Sequence, residues 1–244
     1  MSRHTITHAD EIFVGAPQSG GFNGAKRGVE IMLAHQQKIL NAPAGDVDGL
    51  VTAAGSGATA AAGDVPIDGA FLNAATGFGD IVAARNLEIV SDNAGDTTQV
   101  ITITGRDIVG NPQVENISAN GTTAVRGLKA FSVVESISNS VVFAGALTVG
   151  TSVTLANIEF GLDAGLESGA DVLHALTGST AAGSAGANDG GNFVIADATS
   201  PATAITGDAR GTYGPGNAPD GSADYVLWYH PILTKDGYGQ NFSG

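Results

Sequence analysis

Between Arg85 and Leu155 the chain runs as short stretches of alternating apolar and polar residues, separated by turn signals. Arg85-Asn-Leu-Glu-Ile-Val90 puts Leu87 and Ile89 on one side and Asn86 and Glu88 on the other. Gln99-Val-Ile-Thr-Ile-Thr104 does the same with Ile101 and Ile103. A period of two is what a half-buried strand requires, because successive side chains point to opposite faces. Asp92-Asn-Ala-Gly-Asp96, Gly110-Asn-Pro112 and Asn120-Gly121 fall between such runs. They supply residues that start a turn or tolerate positive φ. Further strands are expected at Thr123 to Val125, Lys129 to Ile137, Val141 to Phe143, Ala146 to Val149 and Val153 to Ile158. This spacing is that of a sandwich or barrel. The fold class that follows is all-β: an antiparallel β-sandwich or jelly-roll-like domain.

Composition agrees with a folded, turn-rich chain. Glycine is 36 of 244 residues, about twice ordinary usage, and aromatics are only 6%, so the expected core is Val, Ile, Leu and Ala. Cysteine is absent, which removes disulfides, thiol nucleophiles and thiolate metal sites. The segment Met1 to His8 lacks the apolar region of a secretory leader, so none is expected. No run of about eighteen apolar residues predicts a membrane span. Charge is uneven: residues 1–45 carry a net +1 and the remainder −15, giving −14. An acidic body repels phosphate backbones, so no nucleic-acid partner is expected.

Three regions are expected. Residues 1–45 form an N-terminal arm, with an apolar/polar stretch from Ile6 to Val14, a Gly-rich bend Ser19 to Gly24 and one short helix. The helix is expected over Ala25 to Leu40, with Val29, Met32 and Leu33 at helical spacing and Pro43 as its stop. This arm either docks on a neighbour or packs on the chain's own β body. Residues 46–84 are a Gly/Ala-rich loop with leading strands at Val65 to Ile67 and Ala70 to Leu72; Val51 to Gly63 reads as an extended or mobile loop. Residues 85–244 form the main β domain, with a glycine-rich segment at Thr180 to Gly191 and short strands at Asn192 to Ala196 and Tyr225 to Tyr229.

Two groups of motifs stand out. The first runs from Ala84-Arg-Asn-Leu-Glu-Ile-Val90 through Thr97-Thr-Gln-Val-Ile-Thr-Ile-Thr-Gly-Arg-Asp-Ile-Val-Gly-Asn111 to Gly127-Leu-Lys-Ala-Phe-Ser-Val-Val-Glu-Ser-Ile137. It is similar to a strand followed by "TITGTDxxGN", an acidic strand and "GxKxFxxVxSI" in tailed-bacteriophage virion proteins. The second, Ala202 to Pro215 with Asp220-Gly-Ser-Ala-Asp-Tyr225, is similar to their "TGDxRGTYxP…DG…Y" ending. The resemblance spans about residues 70 to 230 and keeps the order of the motifs. It implies a capsid decoration (cement) protein or a related head component, with no catalytic residues to carry over.

The residues themselves offer little chemistry. His4, His8, His35, His174 and His230 include no HExxH arrangement. The acidic turns at Asp92 to Asp96 and Asn188 to Gly191 offer oxygen atoms of the kind calcium takes, yet lack the ligand count and closing Glu of an EF-hand loop, and read as plain turns. Gly55-Ser-Gly57 is not a nucleophile elbow, and Gly161 to Gly165 is not a dinucleotide fingerprint. Asp208 and Arg210 are expected to fix a turn by pairing and backbone hydrogen bonds. No catalytic, cofactor or metal residue is assigned.

The expectation is a non-enzymatic virion protein on the outer surface of the phage capsid, made in the host cytoplasm. Its partners would be the major capsid protein and itself as a homo-oligomer, trimer favoured over dimer, with no nucleic acid and no membrane. The alternative is a head- or tail-fibre module that binds host-surface glycan. One Trp and four Tyr offer few aromatic platforms for that role.

Overall fold

The computed structural model describes residues 11–16, 30–166, 169, 172–179, 187–197 and 204–231. Within these the fold is all-β and antiparallel. Fifteen strands are present: β1 Glu11–Ala16, β2 Glu30–Ile39, β3 Gly63–Val65, β4 Leu72–Asn73, β5 Phe78–Ser91, β6 Val100–Arg106, β7 Pro112–Ser118, β8 Val125–Asn139, β9 Leu147–Gly150, β10 Phe160–Gly161, β11 Val172–Ser179, β12 Ala187–Asn188, β13 Asn192–Val194, β14 Thr212–Gly214 and β15 Ala223–Tyr229. The larger sheet has the order β13-β14-β10-β5-β8-β6-β7, with β3, β4 and β9 attached to β8 and β5. The smaller runs β1-β2-β15-β11-β12. Together they make a curled, sandwich-like body.

The larger sheet follows from the alternation. Ile101 and Ile103 on β6 pair with Asn139 and Ile137 on β8, and both isoleucines are fully buried. They join Leu87, Ile89, Phe131, Val134, Leu147 and Val149 in an aliphatic core. Asn86 and Glu88, expected on a solvent face, are buried as well. The segment after η2 (Leu155–Asn157) covers that side of β5. Asn86 Nδ2 donates to the Asn157 carbonyl at 2.8 Å, Asn86 Oδ1 accepts from Glu159 N at 2.8 Å, and Asn157 Nδ2 donates to Glu88 at 2.9 Å. Polar residues at alternate positions here meet polar chain, not water.

The expected helix over Ala25 to Leu40 is not formed: Glu30–Ile39 is β2, and residues 25–29 lie outside the described set. Ala, Gln, Lys, Met and Leu favour helix in isolation, but β15 offers an open ladder. Tyr225 faces Ile39, Leu227 faces Gln37 and Tyr229 faces His35 across it. In this register Gln37 and Ile39 are buried while Lys38 between them is exposed. Partner-strand hydrogen bonds and burial of one face outweigh the weak local preference. Residues 30–39 therefore belong to the body.

Other expectations shift in detail. Val141 to Phe143 is no strand: Val141 N turns back to Asn139 Oδ1, Val141 and Val142 are exposed, and only Phe143 is buried. Within Val153 to Ile158 a 3-10 turn replaces the strand, with Thr154 N bonded to Ser152 Oγ and Asn157 N to the Thr154 carbonyl. Val51 to Gly63 is not a free loop. Val51 and Ala60 are buried in the core, and Asp68 gathers the loop by accepting from Thr52 N and Ser56 N. Thr180 to Gly186 lies outside the described residues, as do His4, His8 and the Ser19 to Gly24 bend. No helix among the described residues is long and apolar enough to cross a membrane.

Candidate functional site

The polar groups of the body gather in three knots, two within the curled larger sheet and one at the seam between the two sheets. The first is centred on β8. Its pairing with β5 slips between Asn86 and Glu88, so Gly127 to Lys129 bulge out of the ladder. Glu115 from β7 closes the gap, accepting from Leu128 N and, at 3.3 Å, from Lys129 N. A side chain at 127 would collide with this carboxylate, which explains Gly127. Gln113 Nε2 donates to the Ala130 carbonyl at 2.7 Å, two residues along the same face of β7. Burial pushes the Glu115 carboxyl up to about 7, against the pull of these N–H donors and of Lys129. Burial also lowers Lys129.

The second knot joins the two groups of motifs. Asp107, in the turn after β6, accepts from Val109 N and Asn111 N and pairs with Arg210 Nε at 3.1 Å. Both partners of that pair are buried. Asp208 accepts from Ala130 N at 2.9 Å and Arg210 N at 2.8 Å, and burial raises its carboxyl to about 6. The expected Asp208 turn is present, but Arg210 pairs with Asp107 across 103 residues of chain.

The third knot ties β2 and β15 to the segment after β10. Asp163 Oδ1 meets His35 Nε2 at 2.7 Å and accepts from the Tyr229 hydroxyl at 3.0 Å. Gln37 donates to the Gly161 carbonyl and accepts from Asp163 N. Beside it a cleft of about 270 Å³ opens where Gln37 to Leu40 face Ile81 to Ala84, with Ser132 and Asp163 also lining it. The Ser132 hydroxyl is committed to the Asp107 carbonyl, not to a base. The arrangement suits cohesion between sheets better than nucleophilic attack.

The acidic turns have their own role. Asp96 is buried and accepts from Ser91 Oγ, Gln99 Nε2, Ala144 N and Gly145 N. Burial pushes its carboxyl up, and these donors outweigh burial and hold it below the ordinary value. Asp189 accepts from the Tyr213 hydroxyl, Gly216 N and Asn217 Nδ2. Both carboxylates face N–H and O–H donors, an environment opposite in polarity to that of a cation. Among the described residues no three His, Asp or Glu side chains converge as metal ligands do.

Glu115, Lys129 and Arg85 are among the buried charged groups that were missed from the sequence. A signal existed for two of them. Glu115 has the parity of Gln113 and Ile117, and Lys129 that of Phe131, all buried positions. A charge in the buried register of a strand marks an internal partner. Comparison with protein-family models, with curated proteins and with solved structures finds no match for this chain.

Proposed function

We propose that the protein is a non-enzymatic structural component of a tailed-phage virion. It acts as a decoration (cement) protein that binds the outside of the head and bridges neighbouring capsomers. The observation that carries this reading is the second knot. The two groups of motifs that resemble phage head proteins spend their charged groups on each other, Asp107 with Arg210 and Asp208 with the backbone of Ala130. Motifs used this way specify a scaffold rather than a reaction. The acidic charge of −14 keeps such a protein apart from encapsidated nucleic acid. Its partners are the major capsid protein and further copies of itself, a trimer before a dimer. Weak contacts repeated by shell symmetry give avidity without one strong site.

The test is to compare particles with and without the protein. Loss of DNA at lower temperature or ionic strength, with normal adsorption to cells, is the expected result. Unchanged particle stability with lost adsorption would establish the host-glycan reading instead. One feature favours that second reading: Trp228 lies on the outer side of β15, with Gln36 and His174 directly beside it on the two flanking strands.

A further inference from the structure

Among the described residues of the seam, Arg85 is a charged group that the knots leave unmatched. It lies on β5 and is 1% exposed. Its Nη2 donates to the Pro43 carbonyl at 2.7 Å, and its guanidinium carbon stands 5.0 Å from the centre of the Phe160 ring. Nε and Nη1, which carry most of the guanidinium's N–H bonds, are buried with no acceptor. No carboxylate among the described residues forms an ion pair with it. The ionisable group that acts on it is Tyr225, whose hydroxyl is committed to the Asn217 carbonyl at 2.7 Å. Arg210, by contrast, is buried against Asp107, and Arg126 pairs with Glu159.

A buried donor without an acceptor forfeits the hydration it had in the unfolded chain, and a buried charge without a counter-charge forfeits more. Loss of the proton does not relieve Arg85. Burial lowers it only to about 10, so it stays cationic at neutral pH. A carbonyl oxygen and an aromatic face soften the charge but do not neutralise it.

We propose that the seam binds a small monovalent anion of the halide class against Nε or Nη1 of Arg85. One negative charge balances the guanidinium, and the enclosed position of Nε and Nη1 favours a small ion over a polyatomic one. The site joins β5 to β10, to β15 and to the Pro43 segment, so occupancy stabilises the docking of one sheet on the other.

The experiment uses the full chain, unfolded by urea in sodium chloride and in sodium gluconate at matched ionic strength, with Trp228 fluorescence as the readout. One bound ion released on unfolding makes the unfolding constant fall about tenfold for each tenfold rise in chloride above the dissociation constant. Arg85→Met removes that dependence. Wild-type crystals grown in bromide give an anomalous peak within hydrogen-bond distance of Nε or Nη1, a result that does not depend on the variant folding. Equal stability of the wild type in the two salts, an undiminished chloride effect in Arg85→Met, or water alone at both nitrogens would overturn the proposal.

Discussion

The body has two cores of different character. The core of the larger sheet is aliphatic, with Ile101, Ile103, Leu87, Leu147 and Val149 interlocked around Phe131. The core of the seam is aromatic and wired with polar groups: Phe160, Tyr213, Tyr225 and Tyr229 pack beside Arg85, Asp163 and Arg210. The first is built mainly by strands close in sequence, β5 through β9, with Leu50, Val51, Ala60 and Val65 joining from the segment before them. The second brings β2 against β15, with paired residues 186 to 194 positions apart. Apolar contacts are non-directional and tolerate sliding, whereas hydrogen bonds do not. Where distant strands must meet in one register, polar groups fix the position, and at the seam they do so between Gln37, Asp163 and Tyr229.

The sharpest way to break this comparison is to remove one polar key. Arg210→Met leaves Asp107 buried without its partner and is expected to cost about 3–5 kcal/mol. A one-methylene trim in the other core, Ile103→Val, costs about 1 kcal/mol. Arg210 Nη1 also donates to the Asp163 carbonyl at 3.3 Å, in the knot that holds β2 and β15. Trp228 lies on β15, so urea unfolding of Arg210→Met followed by its fluorescence should precede the transition seen by circular dichroism. Coincident transitions would make the two cores one cooperative unit.

Next in size is a pH effect seated in the knots. Glu115 is raised from 4.5 to about 7 and Asp208 from 3.8 to about 6. The folded state then holds protons that the unfolded chain releases. Their contribution is fully present below the unfolded values and is lost as pH rises to about 7. For Glu115 this is on the order of 3 kcal/mol. Urea midpoints at pH 5 and pH 8 measure it, and Glu115→Gln should flatten the difference.

A smaller loss sharpens the reading of the third knot. Tyr229→Phe keeps the ring but leaves Ala164 N, now bonded to the hydroxyl at 3.2 Å, without an acceptor. About 1–2 kcal/mol is expected, read from the fluorescence midpoint. The smallest effect lies outside both cores. Arg106 and Glu135 make an exposed ion pair at 2.7 Å, and Arg106→Ala should change the denaturation midpoint by less than about 1 kcal/mol.

Legibility followed sequence distance. β6 was readable because Ile101 and Ile103 alternate with threonines, β9 because Leu147 and Val149 flank Thr148, and β15 as a short run of aromatic and aliphatic residues. β2 was not, because Glu30 to Ile39 is rich in helix formers and its strand state depends on β15. The acidic turn at Asp92 was visible as a turn, but the use of Asp96 to anchor Ala144 and Gly145 was not.

The sequence by itself determined an all-β body, a mostly aliphatic first core and acidic turns at the strand ends. These are properties of neighbouring residues: side-chain period, turn propensity and charge act over a few positions. Only the tertiary structure decided that Glu30 to Ile39 is a strand, that Arg210 belongs to Asp107, and that Glu115 plugs the β8 bulge. Each of those joins residues far apart or on non-adjacent strands. Which donor meets which acceptor is then set by how the sheets curl and dock, a geometry that local pattern does not encode.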